Sequence, residues 1–188
     1  VKTARTGSDR VCVTLSADGK TLAERSSMAG QPVHLAVEHP RLWSPDDPYL
    51  YDLTVTLVRD GRVIDRAESY AALREIATGR DANGIERMTL NGRPLFHFGP
   101  LDQGWWPDGL YTAPTDEALL YDIRFTKQLG FNMIRKHIKV EPERWYWHCD
   151  REGILVWQDM PSGDMSTGKW EPHRYGAGTD AERSEESF

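Results

Sequence analysis

The chain has 188 residues, 39% hydrophobic and 28% charged, with a formal net charge of −6 at pH 7. That is the composition of a globular protein with a core of its own, in one or two domains, rather than of a disordered segment. The acidic balance argues against nucleic acid as the main partner, and no apolar run has the length of a membrane span.

Short alternating runs separated by turn residues fill the first part of the chain. Val11 to Leu15 comes first, closed by Ala17-Asp18-Gly19-Lys20, and Pro32 to Val37 and Tyr49 to Leu57 follow. Arg59-Asp60-Gly61-Arg62 predicts a hairpin turn, because Asp-Gly accepts positive φ, and Val63 to Ala67 returns. Strands at this spacing, with no helical pattern between them, predict an antiparallel sandwich over residues 1–78. A full sandwich needs about seven strands. The sequence offers five or six, so the domain is expected to lack its N-terminal side. Val1 is not Met, and no signal-peptide pattern opens the chain. The native N-terminus is therefore expected upstream, which leaves cytoplasmic and secreted locations both open.

From residue 79 to 188 the rhythm changes to strand, helix, strand, helix, strand. Leu95 to Gly99 reads as a short apolar strand. Thr115 predicts an N-cap, with Asp116 and Glu117 in the first turn where the helix dipole favours them. Leu119, Ile123 and Thr126 share one face, and Gly130 stops the helix. Phe131 to Arg135 is the next strand. Pro142 opens a second helix that buries Trp145, Tyr146 and Cys149 and ends at Gly153. Ile154 to Trp157 is the third apolar strand. Apolar strands alternating with amphipathic helices predict a parallel sheet covered by helices. Beyond Asp159 the glycines at 163, 168, 176 and 178 predict loop, and Ser184-Glu185-Glu186-Ser187-Phe188 resembles the first turn of an unfinished helix.

Cys12 and Cys149 stand far apart in segments of different type and read as small buried residues rather than a disulfide. No His/Cys cluster has metal spacing and no glycine loop could cradle a phosphate, so no metal or other cofactor is expected. Seven Trp and seven Tyr are many for this length, and most of the Trp lie between Trp105 and Trp170. Aromatic residues bury well, but Trp on loops over a cleft also stacks on sugar rings.

In parallel α/β architectures function gathers at the C-terminal ends of the strands. Three ends can be read here. The first gives Asp102, Gln103 and Trp105, the second Arg135, Lys136 and His137, and the third Asp159. Polar or aromatic residues thus follow all three strands. Each has a plainer role available: Arg135 and Asp159 as a structural ion pair, His137 as a loop residue, Asp102 as a loop cap. Glu141, Glu143, Asp150 and Glu152, on or near the second helix, read as solvated face.

Several stretches together resemble one family. His39-Pro40-Arg41-Leu42-Trp43-Ser44-Pro45-Asp46-Asp47-Pro48-Tyr49-Leu50-Tyr51 and Leu73-Arg74-Glu75-Ile76 are similar to parts of the immunoglobulin-like sandwich of glycoside hydrolase family 2. That family includes β-galactosidases, β-glucuronidases and β-mannosidases. Leu90-Asn91-Gly92-Arg93-Pro94-Leu95 resembles the hairpin that opens its (β/α)8 TIM barrel. Gly130 to Arg135 is similar to its second barrel strand, and Cys149-Asp150 through Val156-Trp157-Gln158-Asp159 to its third. His137 comes two residues after Arg135 and is followed by Ile138-Lys139, where β-galactosidases place it three after and follow with Tyr-Pro. Gln158-Asp159 replaces the frequent Asp-Glu and is closer to mannosidase-like branches.

The resemblance implies a multidomain β plus α/β fold: an immunoglobulin-like sandwich, then about three βα units of a barrel that needs eight. It implies a retaining exo-glycoside hydrolase acting on terminal β-linked sugars, β-galactosidase-like, with β-mannosidase-like or exo-glucosaminidase-like specificity as the alternative. In the family the nucleophile and acid/base glutamates follow the fourth and seventh strands. Both would then lie beyond Phe188, and the chain alone is expected to be inactive. Asp102, Gln103, Trp105, Arg135, Lys136, His137 and Asp159 are the implied substrate-binding residues. A carbohydrate is the implied partner. A non-catalytic carbohydrate-binding or scaffolding module is the rival from another class.

Overall fold

A computed structural model describes residues 9–161. The glycine-rich stretch after residue 162 and the unfinished helix at Ser184 lie outside them. The chain divides into two compact units, Val1–Leu95 and Phe96–Phe188.

In the first unit four strands form one antiparallel sheet: β1 (Arg10–Ala17), β2 (Lys20–Met28), β3 (Tyr51–Arg59) and β4 (Arg62–Ala71), in the order β2-β1-β3-β4. Two Asp-Gly turns set its register. Asp18 and Gly19 take φ of 50° and 74°, and Asp60 and Gly61 take 48° and 75°. Both turns use two consecutive left-handed residues, whose twist matches that of the flanking strands. β2 is a strand the sequence hid, because Lys20 to Met28 has few apolar residues to alternate. Pro32 to Val37 is not a strand. Val33, Leu35 and Val37 are half-buried and their neighbours exposed, so the alternation is present without a hydrogen-bond ladder.

A second, three-stranded sheet comprises β5 (Ile76–Arg80), β6 (Glu86–Leu90) and β7 (Arg93–Pro94). The change of character read near residue 78 falls inside β5. The stretch from Leu73 to Glu75 is irregular rather than strand, and β5 starts at Ile76. Asn91 pins this turn. At φ 52° it exchanges hydrogen bonds with Glu75, and its Nδ2 donates to the carbonyl of fully buried Trp43 at 3.0 Å.

The second unit is βαβαβ: β8 (Leu101–Asp102), α1 (Asp116–Gln128), β9 (Met133–Lys136), α2 (Glu143–Glu152) and β10 (Leu155–Gln158). Its three strands are parallel, in the order β10-β9-β8. The first strand lies later than Leu95 to Gly99. Residues 96–98 are held by one side chain, since Asn132 donates to Phe96 O and accepts from Phe98 N–H. Gly99 passes so close to Met133 that a Cβ would overlap its carbonyl, and Pro100 has no N–H for a ladder. Regular pairing therefore begins at Leu101.

Thr115 caps α1 by accepting from Ala118 N–H, and Gly153 ends α2 at φ 77°. Leu119, Ile123, Ile134, Trp145, Cys149 and Ile154 form the core between the two helices and the sheet. Both cysteines are free. The opposite sheet face, with Leu101 and Trp157, is exposed.

Asp116 ties the helices together. Arg144 grips its carboxylate with two hydrogen bonds, at 3.0 and 3.1 Å, and buried His148 bonds it at 2.9 Å. Arg144, and then His148, hold Asp116 down at a pKa of about 2, against an ordinary value near 3.8. A carboxyl depressed in the folded state adds stability above its unfolded pKa and loses it as pH falls through the folded one. The melting temperature should thus fall as pH drops from about 4 toward about 2, with a flatter profile in Asp116→Asn.

Candidate active-site edge

Four groups of side chains meet at the C-terminal ends of the parallel strands. Arg135 and Asp159 form the first. Arg135 Nε donates to Asp159 Oδ1 at 3.1 Å and Nη2 to Oδ2 at 3.0 Å, a two-pronged pair. Arg135, helped by the charge of His137 and the N–H of Ile138, holds the Asp159 carboxyl below the usual range. Ile138 reaches that carboxylate from a left-handed backbone, φ 47°, which a β-branched residue rarely adopts.

Gln103 and His137 form the second group, Nε2 to Nδ1 at 3.1 Å, and join the first loop to the second. The main chain ties all three strand ends, since His137 N–H donates to Asp102 O and Asp159 N–H to Lys136 O.

The third group is buried. Lys136 is 1% exposed and bonds Asp102 Oδ2 at 2.5 Å and Glu141 Oε1 at 2.9 Å, with its ammonium 4.4 Å from the centre of the Trp145 ring. Lys139 reaches the same Glu141 oxygen at 3.0 Å. Two cations and two carboxylates balance. Lys136 thus points to the helix side of the sheet, opposite to Arg135, and Asp102 turns toward it. Glu141 corrects its reading as solvated face: it is buried because two lysines offset the loss of water. The signal for it was the spacing of Lys136, Lys139 and Glu141 around apolar Val140, ahead of the helix-opening Pro142.

Trp105 and Tyr111 are the fourth group, two exposed rings with centroids 4.3 Å apart. On the helix side a cleft of about 430 Å³ is lined by Asp102, Gln103, Trp105, Asp122, Phe125 and Trp145. Partial burial, with the Asp102 charge, raises the Asp122 carboxyl above its ordinary pKa.

Gly104 is packed tightly against the buried ion pairs. It has φ +65°, and a Cβ there would meet Glu141 Oε1 at 2.4 Å and Lys139 Nζ at 2.7 Å. Gly104→Ala should therefore destabilise the second unit by about 2–3 kcal/mol, read from its denaturant midpoint. An unchanged midpoint would contradict this packing.

The family model "Glycosyl hydrolases family 2" matches residues 4–74. A β-galactosidase of Lactococcus lactis is 30% identical over 128 residues, which is 68% of this chain and 12% of that protein. The chain belongs to glycosyl hydrolase family 2. A putative β-glucuronidase of Formosa agariphila is 31% identical over 157 residues, 79% of this chain and 14% of that protein. The chain thus spans about one eighth of the length of these curated relatives. Among solved structures, the Ruminococcus gnavus β-glucuronidase bound to D-glucuronic acid superposes with a TM-score of 0.72 at 25% identity. That match covers 84% of this chain and 26% of the enzyme. These family 2 relatives are named as glycosidases, and the two units described above are a β-rich part of that family's architecture.

Proposed function

We propose that this chain is part of a retaining exo-glycosidase that cleaves terminal β-linked sugars, β-galactosidase-like in specificity. In this reading residues 1–78 belong to an immunoglobulin-like sandwich, and residues 79–188 begin a (β/α)8 barrel. β8, β9 and β10 are the first three barrel strands, and further chain would cover their exposed face. The observation that supports it best is the convergence of Arg135, Asp159, His137 and Gln103 at one edge of a parallel sheet.

Retaining hydrolysis needs two carboxylates about 5 Å apart, one attacking the anomeric carbon and one exchanging a proton with the glycosidic oxygen. By resemblance these are glutamates on later strands, outside this chain. Arg135 would lie beside the nucleophile and keep it ionised. Asp159, His137, Asp102, Gln103 and Trp105 would hold the sugar. Lys136 would act from beneath, through Asp102. The β-galactosidase of Lactococcus lactis among the relatives supports the neutral-glycoside reading.

The experiment is hydrolysis of p-nitrophenyl β-galactoside, β-mannoside and β-glucuronide by the full-length protein and by the 188-residue chain. Turnover of a neutral substrate by the full-length protein alone is expected. No turnover of any of the three would refute the reading, and turnover by the short chain would refute the placement of the glutamates.

A further inference from the structure

We propose that the outer face of Trp105, backed by the Tyr111 ring packed against its inner face, is a preformed stacking platform for the apolar face of a pyranose ring, and that Lys139 is the residue that positions it. The choice of a sugar as ligand rests on the glycosidase reading above. The geometry of the platform does not.

The two rings stand six residues apart in one loop, yet their centroids are 4.3 Å apart at 34°. Backbone bonds draw the loop together: Trp106 N–H donates to Leu110 O at 2.7 Å, Leu110 N–H to Trp106 O at 3.0 Å, and Thr112 N–H to Gly109 O at 2.9 Å. Outside that neck the Lys139 ammonium joins the ends. Lys139 Nζ donates to Gly104 O at 2.7 Å and to Tyr111 O at 2.8 Å. It therefore holds the residue before Trp105 and Tyr111 itself, and lies 5.1 Å from the centre of the Tyr111 ring.

The side chain of Lys139 is only 9% exposed, and Glu141 balances its charge at 3.0 Å. A buried ammonium is tolerable only while every partner stays in place. Opening the loop would strip Lys139 of two acceptors, so the rings are fixed before any ligand arrives. Preorganisation of this kind lowers the ordering cost of binding. Both rings are exposed, and Gln103, two residues before Trp105, lines the same cleft as Trp105 and supplies a polar side chain there. An apolar ring pair bordered by hydrogen-bonding groups fits a sugar, which has C–H faces and hydroxyl edges.

The test uses the full-length protein and tryptophan-fluorescence titration with methyl β-galactoside, β-mannoside and β-glucuronide. Trp105→Ala and Tyr111→Leu should each weaken the best ligand about tenfold. Lys139→Met should do the same with both rings retained, because Glu141 keeps Lys136 as a partner and the unit stays folded. A lowered melting temperature with an unchanged Kd would make Lys139 purely structural and overturn the proposal. If Lys139→Met does not fold, Tyr111→Leu decides, since it leaves the carbonyl that Lys139 bonds. An unchanged Kd there, or no sugar binding by the unmodified protein, also overturns it. Sugar binding without any turnover would refute the glycosidase reading and leave the platform standing.

Discussion

Arg135→Ala in the full-length enzyme should lower kcat by about a hundredfold or more, the size of effect seen when one preorganised charge or donor is removed from a site. Two physical losses combine. The first is the cation that would stand beside the anionic nucleophile. The second is the order of Asp159, which Arg135 grips through both carboxylate oxygens. Asp159 would lose the main cause of its depressed pKa, leaving only the charge of His137 and the Ile138 N–H. Its carboxyl would then protonate at higher pH, so any activity loss that reports it should move up the pH scale in the variant. Arg135→Lys keeps the charge but not the fork. It should recover part of the turnover and little of the Asp159 geometry. Steady-state kinetics over a range of pH reads all three effects. A folded Arg135→Ala protein with unchanged kcat would refute the role.

The local features that a sequence encodes directly were legible here. Asp-Gly turns need two left-handed residues, Thr115 needs only its own hydroxyl to cap a helix, and Gly153 ends one by its φ. The order of strands and helices in the second unit follows from these. What was hidden depends on distant partners. Leu95 to Gly99 alternates like a strand, but Asn132, far along the chain, decides that it is not one. Glu141 looks like a surface residue until two lysines are folded onto it. His148 gave no signal, because its partner Asp116 sits on another helix. One feature was readable and goes against grouping Arg135 with Lys136 at the substrate. Adjacent residues on a strand point to opposite faces. Arg135 faces Asp159 at the open side, and Lys136 lies beneath with Trp145.

That division gives Lys136 the largest expected effect on stability. Its ammonium is enclosed by Asp102, Glu141 and the face of Trp145. Lys136→Met fits the volume but leaves Asp102 without its cation, while Glu141 falls back on Lys139 alone. Breaking a buried ion pair from one side costs about 3–5 kcal/mol, and because the Asp102 carboxylate is 30% exposed the cost here lies near the lower end, about 3 kcal/mol. For a unit of this size the melting temperature should fall by about 15 °C or more. Replacing the carboxylate as well, in Lys136→Met/Asp102→Asn, removes the stranded charge, and part of the loss should return. Thermal unfolding of the single and double variants measures that coupling. A double variant no more stable than Lys136→Met would mean that packing against Trp145, not charge, is what Lys136 supplies.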